Sequence, residues 1–239
     1  MSRLDPGLFA EGPARDSRFV VAETWEEAVN LPPDDPRALT EFLHRQMNEE
    51  VNGLEIAARA LTDFPDADWA LRMAIARQCW DETRHVEMFR RSCESRGGQV
   101  GAFPVLNFQY RIVTRIDSLI GRLAVQNRSF EATGIDAIES ELAAMRLGHD
   151  PDLVALFDAQ VADEIQHVRY ANVWVKKLAE TGGAQATFDM LRAVAQAQRA
   201  FETVAGAAAV TYEVAEAVRR EAGFTEDEIE AARRRAARR

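Results

Sequence analysis

Apolar residues return every three to four positions along most of the chain, and clusters of Gly, Pro and Asp interrupt that rhythm at a few places. From Arg37 to about Asp63 the recurring positions are Leu43, Met47, Leu54, Ala58 and Leu61, introduced by Pro36 and ended by FPDAD, which predicts a first helix. A second runs from about Asp66 to Arg96, with Leu71, Ile75, Cys79, Val86 and Phe89 on one face and Gly97-Gly98 as its stop. The stretch QVGAFPVLNFQ reads as a connection. A long helical pattern follows from about Tyr110 to Leu147, with a break expected near Gly121 and Gly148 as its end. Asp150-Pro151 offers an N-cap and a proline at the first helical position for a fourth helix, which carries Phe157, Val161, Val168, Ala171 and Val175 and stops at Gly182-Gly183. Three further helices are expected beyond it, the last opened by the capping-box spacing of Thr225 and Glu228. Alternating β-branched runs bounded by turns do not occur, so the pattern predicts an all-α fold.

The expected organisation is an N-terminal arm over residues 1–36, a helical core over 37–182 and a helical extension over 183–239 that packs on the core. Pro6, Pro13, Pro32, Pro33 and Pro36 suit the arm to a surface course. At 239 residues and 47% hydrophobic content the chain can bury a sizeable core. The net charge of -10, from 39 acidic and 29 basic residues, argues against nucleic acid or an anionic membrane as the main partner. The basic terminus AARRRAARR reads as a solvated helix end. No apolar leader or membrane-spanning run is present, and the expected location is the cytoplasm. Cys79 and Cys93 lie on one predicted helix, about 21 Å apart along its axis, and are expected to be free packing thiols.

One pattern stands outside this packing logic. Residues 81–85 read DETRH and residues 163–167 read DEIQH. Residues three apart share a helix face, so Glu82 with His85 and Glu164 with His167 can each aim a carboxylate and an imidazole at one point. Both pairs fall on apolar stripes, and a charged group at a core position must be paired or metal-bound. Two other predicted helices offer one further acid each. Glu131 lies on the stripe of Ala124, Gly134, Ile135, Ile138 and Leu142. Glu50 lies on that of Met47, Leu54 and Leu61. Glu49 competes with Glu50, but shares its face with Arg45, Gly53 and Ile56, which is less apolar; Glu55 is assigned to the surface or to the surroundings of the site. The proposed ligand set is therefore Glu50, Glu82, His85, Glu131, Glu164 and His167. Four carboxylates and two neutral imidazoles carry the charge that two divalent cations balance. Oxygen and nitrogen donors without thiolate suit iron or manganese better than structural zinc.

On these motifs, with NEEVNGLE around Glu50 and FEATGIDA around Glu131, residues 37–181 resemble the ferritin-like diiron-carboxylate superfamily. The resemblance implies a ferritin-like four-helix bundle with a long crossover from the second helix to the third, extended by C-terminal helices. It further implies two Fe ions, with Mn or a mixed Fe/Mn pair as alternatives, and O2 as co-substrate. Asp81 and Asp163 would then orient the metal-bound histidines. Gln166 stands where the family pattern has Arg, so no arginine role carries over to the second motif.

Three functions compete. The first is an O2-dependent oxidase or oxygenase acting on a small organic substrate, with an electron-donor protein and a homodimer as expected partners. The second is a ferroxidase or iron-handling protein, and the third a bundle whose metals only stabilise it. Of the remaining conspicuous residues, Tyr170 and Trp80 are expected to pack between helices, His44 to lie on a helix surface and His149 in a loop.

Overall fold

The computed structural model describes residues 17–237, apart from 23, 26, 29, 30, 33, 144–148 and 206–211. Much of the expected N-terminal arm, the helix end at Leu147-Gly148 and Arg238-Arg239 lie outside the described residues. The chain divides into two compact units, one of Met1–Asp117 with Gln196–Ala209 and the other of Ser118–Ala195 with Val210–Arg239. The fold is all-α, and the described residues add only one two-residue parallel strand pair to it. No described helix is long and apolar enough to cross a membrane.

The first unit is built on two long helices, α1 (Ala38–Asp63) and α2 (Trp69–Ser95). Asp68 ends the intervening turn by accepting the Ala70 N–H at 2.8 Å, which satisfies one of the donors a helix start leaves open. The two run antiparallel: Arg72 reaches the Leu61 carbonyl near the turn, and the Cys93 thiol reaches the Thr40 carbonyl at the far end. Leu43, Met47, Ile56, Leu71, Ile75 and Phe89 fill the space between them.

The buried face of α1 is rotated from the expected one. Ala58 is exposed, whereas Gly53 and Ile56, assigned from the sequence to the poorer face, are buried. Both cysteines are free; Cys93 is buried and Cys79 is half-buried.

The chain after α2 returns along α1. β1 (Val21–Ala22) pairs in parallel with β2 (Val105–Leu106), and the Asn48 and Asn52 amides both donate to the Leu106 carbonyl. His44 is not on the surface as expected. It is fully buried, accepts the Gly101 N–H at Nε2 and sits between the Phe19 and Phe103 rings. Gly101 has φ +84, and a Cβ there would lie 2.2 Å from the Arg18 carbonyl oxygen, so the close approach requires glycine. A short α3 (Phe108–Val113) follows, with Phe108 against Phe201. Trp80, expected to pack, is 61% exposed.

The second unit opens with α4 (Leu119–Val125), a π-helical turn (Gln126–Glu131) and α5 (Ala132–Ala143). The predicted break near Gly121 falls instead before Ser118, whose hydroxyl accepts the Gly121 N–H and caps α4. α6 (Pro151–Ala205) is capped by Asp150 as predicted, with the Asp152 and Leu153 N–H groups on its carboxylate. Gly183, at φ 61 and ψ -145, breaks it as anticipated, but helix resumes and continues to Ala205.

α7 (Glu216–Glu221) and α8 (Glu226–Ala236) complete the unit. The buried Arg219 pairs with Asp136 of α5 at 2.5 Å, and Asn172 of α6 donates to the Ala222 carbonyl. The Thr225 capping box forms as read from the sequence. Beyond it, Arg233 and Arg234 pair with Glu216 and Glu230 on the surface.

Candidate metal centre

Each unit assembles one Glu and one Glu-x-x-His pair. In the first, α1 supplies Glu50 and α2 supplies Glu82 and His85, all buried. The ring Nδ1 of His85 lies 2.9 Å from Glu50 Oε2 and 3.5 Å from Glu82 Oε2. One ligand atom from each of the three residues falls within 4.8 Å of the others. Two carboxylates buried around one imidazole are costly unless a positive charge meets them. A divalent cation could supply that charge, and donors at metal distances of roughly 2.0–2.2 Å would need only a small contraction of this cluster.

The first set is shaped by residues outside the Glu-x-x-His motif. The Gln78 amide, one helical turn before Glu82, donates to Glu82 Oε1 at 2.9 Å. Gly53 on α1 faces the same carboxylate: a Cβ there would lie 2.8 Å from Oε1, 2.9 Å from Cδ and 3.2 Å from Oε2. A glycine in the middle of a helix weakens it by about 1 kcal/mol relative to alanine. Here it gives the Glu82 carboxylate its seat against the α1 backbone.

Glu49 is half-buried, and its carboxyl is pushed up by burial and by Glu41, with Arg45 opposing. Glu50, and not Glu49, contacts His85. Asp81 is buried and accepts from Arg77 and from Arg84, the arginine of its own motif.

In the second unit the π-helical turn carries Glu131 and α6 carries Glu164 and His167. All three are buried. Glu131 and His167 offer ligand atoms within 4.8 Å of each other, and His167 Nδ1 lies 3.5 Å from Glu164 Oε2. Both histidines thus turn the same ring nitrogen toward the glutamate of their own motif.

The π turn is built from polar side chains that grip backbone and ligand together. The Ser129 hydroxyl donates to the Ala124 carbonyl, five residues back. The Asn127 amide donates to Glu131 Oε2 at 2.8 Å and the Gln126 amide to Oε1 at 3.2 Å. The Tyr170 hydroxyl lies 3.4 Å from the same Asn127 nitrogen. On the stripe read for Glu131, Ile135 and Ile138 are buried and Gly134 is exposed. Single π turns occur often at functional sites, where the extra residue re-aims a side chain. Asp163 is half-buried, Gln166 is exposed and accepts from Arg169, and His149 is exposed.

Gln78 and Asn127 could have been found in the sequence, because each stands four residues before its glutamate on the same helix face. Gly53 could not, since its use is visible only once α2 lies against α1.

The chain matches, over residues 6–230, the model of a family described as protein of unknown function (DUF455), and it belongs to that family. No curated protein matches it.

Proposed function

For this family member we propose a dinuclear non-haem iron protein that uses dioxygen to oxidise or hydroxylate a small organic substrate. The observation that carries the proposal is the repeated donor set: a buried Glu beside a buried Glu-x-x-His pair, once in each unit. Glu50, Glu82 and His85 would hold one ion and Glu131, Glu164 and His167 the other. Each set carries two carboxylates, which neutralise one divalent ion, and its oxygen and nitrogen donors suit iron or manganese. The ferritin-like bundle implied by the sequence resemblance is part of this proposal.

Bound iron would supply the electrons that reduce dioxygen, chemistry no side chain provides. The chain's own residues fix geometry. Gln78 orients Glu82, while Gln126 and Asn127 orient Glu131. Burial of both imidazoles keeps water from their ring faces.

The oxidase reading is favoured over iron storage by the C-terminal helices. Arg128, on the π turn that bears Glu131, ion-pairs with Glu228 of α8 and donates to Asn172 of α6. Helices beyond a minimal four-helix subunit are therefore tied directly to a ligand-bearing segment.

Purified protein should contain about two irons per chain, and exchange of Glu82 or His167 for Ala should lower that content. With a chemical reductant, the iron form should consume dioxygen without depositing mineral. Mineral loading would move the function to iron storage. An apo form as stable and as active as the metal form would remove metal from the account altogether.

A further inference from the structure

Gln and Asn together make up 16 of the 239 residues, so a given position carries one of them roughly once in fifteen. Yet one stands four residues before every glutamate of the proposed ligand set: Gln46 before Glu50, Gln78 before Glu82, Asn127 before Glu131 and Gln160 before Glu164. Four residues along a helix is one turn on the same face, the spacing at which a side-chain amide reaches a carboxylate. The structure shows the contact at two of the four, Gln78 to Glu82 Oε1 at 2.9 Å and Asn127 to Glu131 Oε2 at 2.8 Å. Gln78, Asn127 and Gln160 are buried, where an amide costs stability unless its hydrogen bonds are made.

We infer that Gln78 and Asn127 are positioning residues, one for each metal-binding set, which fix the rotation of the ligand carboxylate and thereby the oxygen it presents to the ion. Gln46 and Gln160 stand at the same offset from the other two ligands. The inference rests on the metal reading above. An amide suits the task because it donates a hydrogen bond without adding charge, so the two carboxylates of each set remain balanced by one divalent ion. A lysine or arginine at the same place would compete with the metal for the carboxylate.

The two amides are tested one at a time. Cobalt(II) is the probe: its visible absorption reports ligand geometry without turnover. The full chain is titrated with Co(II) as wild type, as Gln78→Met and as Asn127→Met, variants that keep side-chain bulk and remove the donor. Gln198→Met is the control, since Gln198 donates to Glu202 at the same offset on an exposed surface away from the ligands. Each site variant should weaken Co(II) binding about ten- to a hundredfold and alter the visible bands, with the helical circular dichroism retained.

If wild type binds two Co(II) and both site variants match it in affinity and spectrum, the positioning role is wrong and the metal reading stands. If wild type binds none, the metal reading itself falls. A variant that loses helical structure is replaced by Gln78→Leu or Asn127→Leu, which also remove the donor without adding charge. Restored folding with wild-type Co(II) binding in these would equally overturn the inference.

Discussion

Replacing Gly53 with alanine sets two effects of known size against each other. Helix propensity alone favours the alanine by about 1 kcal/mol, since α1 continues on both sides of the position. Against it stands the Glu82 carboxylate, three of whose atoms lie 2.8–3.2 Å from where the new Cβ would be. Ordinary carbon contacts begin near 3.5 Å, so the carboxylate must retreat by several tenths of an ångström. It is the far end of a long side chain and can swing away, which keeps the strain small. The swing gives up the bond from Gln78, and a hydrogen bond to a charged group is worth roughly 1.5–3 kcal/mol.

The two terms nearly offset, so apo Gly53→Ala should be destabilised by only about 0.5–2 kcal/mol in urea unfolding. Metal binding has no such compensation. Ligand distances must hold to within about 0.2 Å, so the ion of the Glu50, Glu82 and His85 set should bind at least tenfold more weakly. In a Glu82→Ala background the obstacle is gone, and Gly53→Ala should then stabilise the chain by about 1 kcal/mol. A Gly53→Ala protein that is stabilised in the wild-type background and binds metal as before would refute the assignment of Gly53 as the seat of Glu82.

Three other substitutions probe the framework. Burial holds the His44 imidazole below its ordinary pKa of 6.5, so the unfolded chain protonates near that pH while the folded chain protonates only at lower pH. Stability from this group is complete above about pH 6.5 and is lost as the pH falls below it; His44→Gln should flatten that part of a stability-against-pH curve. Arg219→Met leaves Asp136 buried without its partner and should cost about 3–5 kcal/mol by urea unfolding, with much of the loss recovered when Asp136→Leu is added. Thr225→Ala removes the α8 cap and should cost about 1 kcal/mol, read as a lower thermal midpoint.

Two helix starts were legible because their signals are local: Asp150 and Thr225 each satisfy backbone donors two or three residues ahead. The Glu-x-x-His pairs were legible for the same reason, since three residues of helix bring the two side chains together whatever surrounds them. The pattern from about Tyr110 to Leu147 reads as one long helix with a weak point at Gly121, whereas its described part divides into α3, α4, the π turn and α5. The sequence holds no proline there, and Ser118 looks like any helix serine until its hydroxyl is seen on the Gly121 N–H. His44 and Trp80 were exchanged in character. A histidine without a partner in its own helix reads as a surface residue, but the partner of His44 is Gly101, 57 positions away. The apolar bulk of Trp80 suggests packing, yet on α2 it stands largely in solvent. The face of α1 was rotated because Gly53 counts for nothing on a hydrophobicity scale, although it is buried.

A π turn is an α-helix holding one residue more than its length requires. Between Gln126 and Glu131 that surplus makes the aim of a ligand depend on the number of residues as well as on their kind. Loss of any single residue from the turn would restore regular pitch and improve the backbone hydrogen bonding. Loss of a residue between Asn127 and Glu131 would also bring Gln126 to four and Asn127 to three positions from Glu131, changing which amide meets its carboxylate. Along this stretch the chain therefore has a counting constraint: an exchange of one polar side chain for another removes one contact to the carboxylate, whereas a deletion that makes the helix more perfect would re-space both amides against Glu131 at once.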